Sequence, residues 1–276
     1  MRRIALALTA AALAVGVVAC GDDEPAPASG ASADTSKPLV VGASPVPHAE
    51  ILDFIKDNLA EKAGLKLEVK EFTDYVLPNT ALIDGQLDAN YFQTPAYLAD
   101  QEKARKFKAQ SIVGVHIEPL GLYSKKVKDI NAIPNGAQIA IPNDPTNEAR
   151  ALRLLAANQL ITLDDNESTT ATIRNITDNP KDIEFAEVEA AQTPRSLDDA
   201  DLAVINGNYA IEAGLTPSED ALVLEQAEGN PNANLLVTLP DEANDPRVKK
   251  LAELLTSPEV KQFIDEKYKG AVLAAF

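Results

Sequence analysis

The stretch Ile139-Ala140-Ile141-Pro142-Asn143-Asp144-Pro145-Thr146-Asn147-Glu148-Ala149-Arg150 decides how the rest of the chain is read. It predicts a short buried strand, a tight turn and a helix. Pro145 suits the first helical position, where its missing N–H costs nothing and its fixed φ is already helical. Asp144 is then the N-cap, its carboxylate accepting from free amides of the first turn. Ala149, Leu152, Leu155 and Ala156 continue at roughly helical spacing. Asn147 and Arg150, three residues apart, share one face beside the helix start. A helix start carries unpaired N–H groups and partial positive charge, and it attracts anions. An Asn amide and a guanidinium added there make a directional carboxylate site. The competing reading, a surface arginine in a helix salt bridge, has no local partner: Thr146, Asn147, Arg153 and Leu154, three and four residues away, are not acidic.

Working outward, the sequence alternates strands and helices. Upstream, 38–42 reads as a strand, 48–63 as a helix closed by Gly64, 65–72 as a strand and 75–87 as a helix. A strand at 88–91, a helix at 95–107 and a strand at 111–115 follow. This β-α alternation predicts a mainly parallel sheet with helices on both faces. Downstream, strands are expected at 120–123, 138–141, 183–188, 202–205 and 221–225. Helices are expected at 145–158, 190–197 and 209–213, with a short helix and loop in the polar segment 162–182. A strand at 234–239 and helices at 246–255 and 258–268, each with Pro near its first turn, complete the chain. Two βα sets imply an α/β protein of two lobes with a ligand cleft between them. The expected bounds are 38–118 plus 230–276 for the first lobe and 119–229 for the second.

The amino-terminal end reads as a targeting segment. Arg2 and Arg3 precede an uncharged apolar run, Ile4 to Val18, too short for a comfortable membrane span. The run ends in Val17-Val18-Ala19-Cys20-Gly21, which resembles the bacterial signal for cleavage before a cysteine that is then lipidated. Cys20 is the only cysteine, so neither an internal disulfide nor a thiolate metal cluster is available. Residues 1–20 are thus expected to be a lipoprotein signal peptide. Residues 21–37, built of Asp, Pro, Ala, Ser and Gly, are expected to be a disordered tether. The domain would be held at the cell membrane through lipidated Cys20, facing the extracytoplasmic side. Removing Arg2 and Arg3 takes the 25 basic residues to 23, against 42 acidic ones, which argues against nucleic acid as a partner.

Several blocks, in order, carry a family pattern. They include Pro45-Val46-Pro47-His48-Ala49-Glu50, Asp88-Ala89-Asn90-Tyr91-Phe92-Gln93, Glu118 through Lys126, and Ile141 through Arg150. Asp178-Asn179-Pro180, Glu189-Ala190-Ala191-Gln192 with Pro194-Arg195, Val204 through Tyr209, and Asn234 through Val237 follow. The chain resembles the NlpA-type lipoproteins, substrate-binding proteins of methionine ABC importers. The resemblance implies a type II periplasmic-binding-protein fold, methionine as ligand (L-methionine first), and permease and ATPase subunits as partners. It implies that Asn147 and Arg150 hold the α-carboxylate and that Asn206, Asn208 and Asn234 satisfy the remaining polar atoms. It also implies that Tyr91 and Phe92 wall a pocket where a thioether packs against aromatic edges. Tyr75 and His116, in loops near the cleft, are further candidates.

Read without the family, each residue has a plainer role. Tyr91 and Phe92 are adjacent on a strand and point opposite ways, so at least one is expected in the core. Asn206 and Asn208 flank Gly207 and suit a turn equally well. Asn234 suits a loop, His48 a structural helix start, and His116 a core histidine. Two positions depart from the family pattern, Thr94 where it often has His and Asn232 where it often has an aromatic residue. They leave open another amino acid or a methionyl dipeptide as ligand. An enzyme is the rival class, with a non-transport surface lipoprotein as a further alternative. With only two histidines, neither in a G-x-S-x-G or H-E-x-x-H setting, and no phosphate loop or zinc ligand set, no catalytic residues, cofactor or metal are expected.

Overall fold

Residues 36–276 are described by a computed structural model; the signal segment, Cys20 and most of the tether lie outside the described residues. The first part of the chain lays down β1 (Leu39–Ala43), β2 (Leu67–Glu71), β3 (Ala89–Gln93) and β4 (Gln110–Ile117). Between them run α1 (Glu50–Ile55), α2 (Leu77–Ile83) and α3 (Pro95–Arg105). A π-type turn, Lys56–Ala60, extends α1, and Gly64, at φ +68°, ends that segment in the left-handed conformation expected of a C′ glycine. The helix α2 starts later than expected because Asp74 Oδ1 accepts from the amides of Val76 and Leu77 and holds a turn ahead of it.

The chain then crosses to a second sheet. It forms β5 (Gly121–Tyr123), β6 (Gln138–Pro142), α4 (Pro145–Ala157), β7 (Thr162–Leu163), β8 (Ile176–Asp178) and β9 (Glu184–Val188). It continues through α5 (Thr193–Ser196), β10 (Leu202–Ile205), α6 (Gly207–Glu212), α7 (Pro217–Asp220) and β11 (Val223–Leu224). It returns as β12 (Asn234–Thr238), α8 (Pro246–Leu255), α9 (Pro258–Tyr268) and β13 (Leu273–Ala274). The polar segment 162–182 folds as the small antiparallel pair β7–β8 around a 3-10 turn, rather than a helix and loop.

The first sheet has the order β13-β4-β12-β3-β1-β2, and the second β11-β5-β10-β6-β9. In the first, β1 pairs in parallel with β2 and β3, as the alternation predicts. The expectation of a mainly parallel sheet fails beyond β3, because β12 inserts between β3 and β4, antiparallel to both. Its Leu235, Leu236 and Val237 are all buried, so the strand needs cover on both faces and a partner on both edges, which a central position supplies. The first core packs Leu39, Val41, Ile51, Leu52 and Ile55 against Val248, Leu251, Leu255 and Ile264. The second packs Ile139, Ile141, Leu152 and Leu155 with Leu120, Leu122, Leu202 and Val204. Each sheet therefore has its own core, and the chain passes between them twice, at 118–120 and at 225–233.

A fully bonded amide triad locks α2 onto β3. Asn79 Nδ2 donates to Gln93 Oε1, while Gln93 Nε2 and Asn90 Nδ2 each donate to Asn79 Oδ1, all at 2.9 Å. All three residues are buried. Losing one member would strand the others, at roughly 1–3 kcal/mol each.

Candidate functional site

The helix start forms as its sequence dictates. Asp144 has an extended backbone and caps α4; its Oδ1 accepts from the Asn147 amide at 3.0 Å, with Pro145 next to it at the first helical position. The same carboxylate also takes Thr146 Oγ1 and both contacts of Asn147 Nδ2, at 3.0 and 2.9 Å. The Asn147 side chain is thereby turned so that its Oδ1 accepts from Asn206 Nδ2 at 2.8 Å. Asn147 lines the cavity but spends its side-chain N–H groups on Asp144 rather than aiming them at a carboxylate.

Arg150 lies one turn further on and is buried. Its Nε donates to Glu225 Oε1 at 2.8 Å, and its Nη2 to Glu225 Oε2 and to the Glu118 carbonyl. Arg150 has no local acid partner, but it does have a distant one: Glu225 comes from 75 residues away, on the return crossover, where helix spacing cannot reveal it. Burial works against both charges. The pairing outweighs it, holding Arg150 above its ordinary value and Glu225 below the usual carboxylate range. Nη1 takes no part in these bonds, and Arg150 lines the cavity.

The opposite wall rises from the first sheet. His48, Phe92, Gln93 and Asn234 line it, and Glu118 stands at the first crossover. His48 Nε2 donates to Asn234 Oδ1 at 3.0 Å and lies 3.3 Å from Glu118 Oε1. His116 Nε2 donates to the same Oε1 at 2.6 Å, and its Nδ1 accepts from the Tyr91 hydroxyl. Burial pushes His48 down to about 4 and His116 down to about 3, so both rings are neutral near pH 7. Burial also raises Glu118, and the opposing pull of His48, Arg150 and the Asn208 amide does not restore it. Among the described residues, His48, His116 and Glu118 are the one set whose ligand atoms, within 4.8 Å of one another, could surround a metal ion. Both nitrogens of His116 are already engaged, so the set acts as a chain of hydrogen bonds.

An aromatic wall closes the side. Tyr75, Phe92 and Tyr97 stand with ring centroids 5.8–6.1 Å apart, and Tyr209 lies 5.0 Å from Tyr75. Tyr75 also donates to Asn208 Oδ1 at 2.6 Å, tying this wall to α6. Three side-chain atoms of cavity-lining residues are buried without a partner: His48 Nδ1, Asn206 Oδ1, an acceptor, and Asn208 Nδ2, a donor.

Of the expected residues, Arg150, Asn147, Asn206, Asn208, Asn234, Phe92 and Tyr75 come together around one cavity. Tyr91 does not. Strand alternation turns it into the first core, fully buried, while Phe92 faces the cleft. His116 likewise stands behind the wall, holding Glu118 and Tyr91. His48 combines two roles, buried at its helix start yet lining the cavity. Asn232 lies outside the cavity, where its Nδ2 donates to Asn230 Oδ1 at 2.8 Å and approaches Glu225; Thr94 is inside. Glu118, Gln93, Tyr97 and Gly207 went unread. Glu118 is one acid among 42 Asp and Glu residues, and only its place just before Pro119, in a block of the family pattern, sets it apart.

Two lobes, each with its own sheet and core, and a small polar cavity walled on one side by aromatic rings define a solute-binding protein. The NlpA lipoprotein model matches residues 39–276, and the chain belongs to that family. It is 39% identical over 261 residues to the methionine-binding lipoprotein MetQ of Bacillus subtilis, covering 93% of each chain. It is 38% identical over 259 residues to the D-methionine-binding lipoprotein MetQ of Escherichia coli, covering 93% of this chain and 92% of that one. Among solved structures, a nutrient-binding protein from Burkholderia cenocepacia bound to methionine superposes with a TM-score of 0.83 at 44% identity, over 86% of this chain and all of that one.

Proposed function

We propose that this protein captures free methionine, L-methionine first, outside the cytoplasm and delivers it to an ABC importer without chemical turnover. The observation that carries the proposal is the polarity of the cavity. Arg150 Nη1 and the unpartnered Asn208 Nδ2 offer donors for a carboxylate, and the unpartnered Asn206 Oδ1 offers an acceptor for an ammonium. Tyr75, Phe92 and Tyr97 supply an apolar flank for a thioether. The methionine-binding names of relatives that match nearly the whole chain support the same ligand.

Sheet membership supports lobe bounds of 38–118 plus 230–276 and 119–229, since it changes at the two crossovers. We assign residues 1–20 to the signal, 21–37 to the tether and Cys20 to lipidation. No helix among the described residues is long and apolar enough to cross a membrane. Cys20→Ala should therefore release the protein from membranes once its signal is removed, because two acyl chains hold firmly and no described helix would anchor it. Fractionation reads this directly; if the variant stays with the membrane, the domain or an uncleaved signal is the anchor.

The ligand is tested by calorimetry on protein unfolded and refolded to strip carried-over solute. The panel is L-methionine, D-methionine, norleucine, glutamine and a methionyl dipeptide. L-methionine should bind one to one, with norleucine weaker by roughly 1–3 kcal/mol, the worth of a methylene-sized change in an apolar pocket. The polar Thr94 in the cavity wall is the one feature that favours a more polar ligand. A preference above tenfold for glutamine or the dipeptide would replace methionine with that ligand.

A further inference from the structure

A zwitterion brings two charges, and the amide groups offer its ammonium only neutral acceptors. Glu118 is the one carboxylate among the described residues lining the cavity. It is held from several directions. His116 Nε2 lies 2.6 Å from Oε1, and His48 Nε2 lies 3.3 Å from it. From the second lobe, α6 closes on it: a Cβ on Gly207 would sit 2.7 Å from the Glu118 Cβ, so only glycine allows this approach. The approach brings the Asn208 backbone amide to the carboxylate and sets Asn206 Oδ1, buried and unpartnered, in the same cavity. Arg150 is already matched by Glu225, so an ionised Glu118 leaves the cavity with one uncompensated negative charge. The ligand's ammonium supplies a positive charge beside Glu118 and three donors for the carboxylate and Asn206 Oδ1.

Resting on the amino-acid-binding reading above, we propose that Glu118 is the counter-charge for the ligand's α-ammonium, with Asn206 Oδ1 beside it, and that this pair imposes the requirement for a free amino group. Burial raises the Glu118 carboxyl, and an ammonium bound beside it pulls it back down, so ligand binding lowers its affinity for a proton. The groups that face or feel Glu118 are His48, His116, Arg150, Tyr75, Tyr91 and Tyr268. The two rings are pushed down to about 4 and about 3, and the tyrosines are raised. Glu118 is the one carboxylic acid of this set, and burial raises it.

The test is calorimetry on the refolded mature chain with L-methionine and with its 2-hydroxy analogue, which keeps the carboxylate and the thioether but lacks the ammonium. Wild type should prefer methionine by about 100-fold, the size expected for a buried charge pair. Glu118→Gln should lose about that factor for methionine while leaving the hydroxy analogue within about threefold. Methionine affinity should fall as pH is lowered in wild type and fall less in the variant. Repeating the wild-type titration in buffers of different ionisation enthalpy needs no variant, and should show proton release with methionine and none with the analogue. Unchanged discrimination in Glu118→Gln, an equal loss for both ligands, or no proton release would overturn the proposal. If refolded wild type binds methionine, only the role of Glu118 falls with those results; if it binds neither ligand, the amino-acid reading falls as well.

Discussion

On the α4 wall, the groups that shape the cleft are mostly chain neighbours: Asp144 orients Asn147 across three residues. On the strand wall they are far apart. His48 meets Asn234 across 186 residues and His116 meets Tyr91 across 25. The first wall is a local motif tied to the rest of the fold through Asn206, the Glu118 carbonyl and Glu225; the second exists only when β3, β4 and β12 have paired. A substitution on the α4 wall should therefore act mainly on the ligand, and one on the strand wall on ligand and fold together. Arg150 is the place where that contrast breaks down.

The largest effect should come from Arg150→Ala. Ligand affinity should drop by roughly 2–5 kcal/mol, the cost of removing one partner of a buried charge pair. The melting temperature should drop too, because the half-buried Glu225 is left without its cation. Adding Glu225→Gln to Arg150→Ala should recover most of the lost stability and none of the affinity. A melting curve beside calorimetry separates the two. If Arg150→Ala melted like wild type, the Glu225 pairing would carry no stability and the α4 wall would be local throughout.

Asn234→Ala should come next. It strips His48 Nε2 of its 3.0 Å acceptor at the wall of the cavity, leaving Glu118 Oε1 at 3.3 Å. Losing a buried hydrogen bond whose donor keeps a second, longer contact costs roughly 1 kcal/mol, read here in both ligand affinity and melting temperature. A loss of affinity at unchanged stability would make the strand wall as local in its effects as the α4 wall.

The smallest effect is on pH dependence. His48 and His116 are pushed down to about 4 and about 3, so the unfolded chain takes up their protons first as pH falls below about 6.5. Stability should fall with pH from 6.5 toward 4, by about 1.4 kcal/mol per histidine per pH unit at most. Glu118, raised in the folded protein, binds its proton before the unfolded chain does and offsets part of this. Glu225, held low, contributes stability that is present above its unfolded value and lost only as pH falls through its lower folded one. The slope of melting temperature between pH 6.5 and 5 should shrink in His48→Gln. A slope unchanged by that substitution would remove His48 as a source of acid sensitivity.

The same contrast explains what could be read in advance. The helices at 246–255 and 258–268 were legible to the residue because Asp245 and Ser257 cap them and Pro follows each cap. Strand 202–205 was legible as an apolar run, and the helix start at 144–145 by its own chemistry. The placement of β12 was not, since an apolar strand carries no mark of which two strands it will separate. Nor was Glu225, whose meaning depends on a guanidinium on another element. Phe92 and Tyr91 divided as adjacent strand residues must, but which of them faced the cleft depended on the sheet's orientation.

That placement of β12 also orders events in time. A chain that emerges from its amino end completes β3 and β4 early, yet the strand that joins them arrives only after the whole second sheet has been made. Until residues 234–238 appear, two facing strand edges have open N–H and C=O groups, the template on which wrong pairings grow. The second lobe can close its own core first, because all five of its strands lie within the excursion. The half that begins the chain therefore finishes last, and a chain cut off before Asn234 would hold one completed lobe and one left open at its centre.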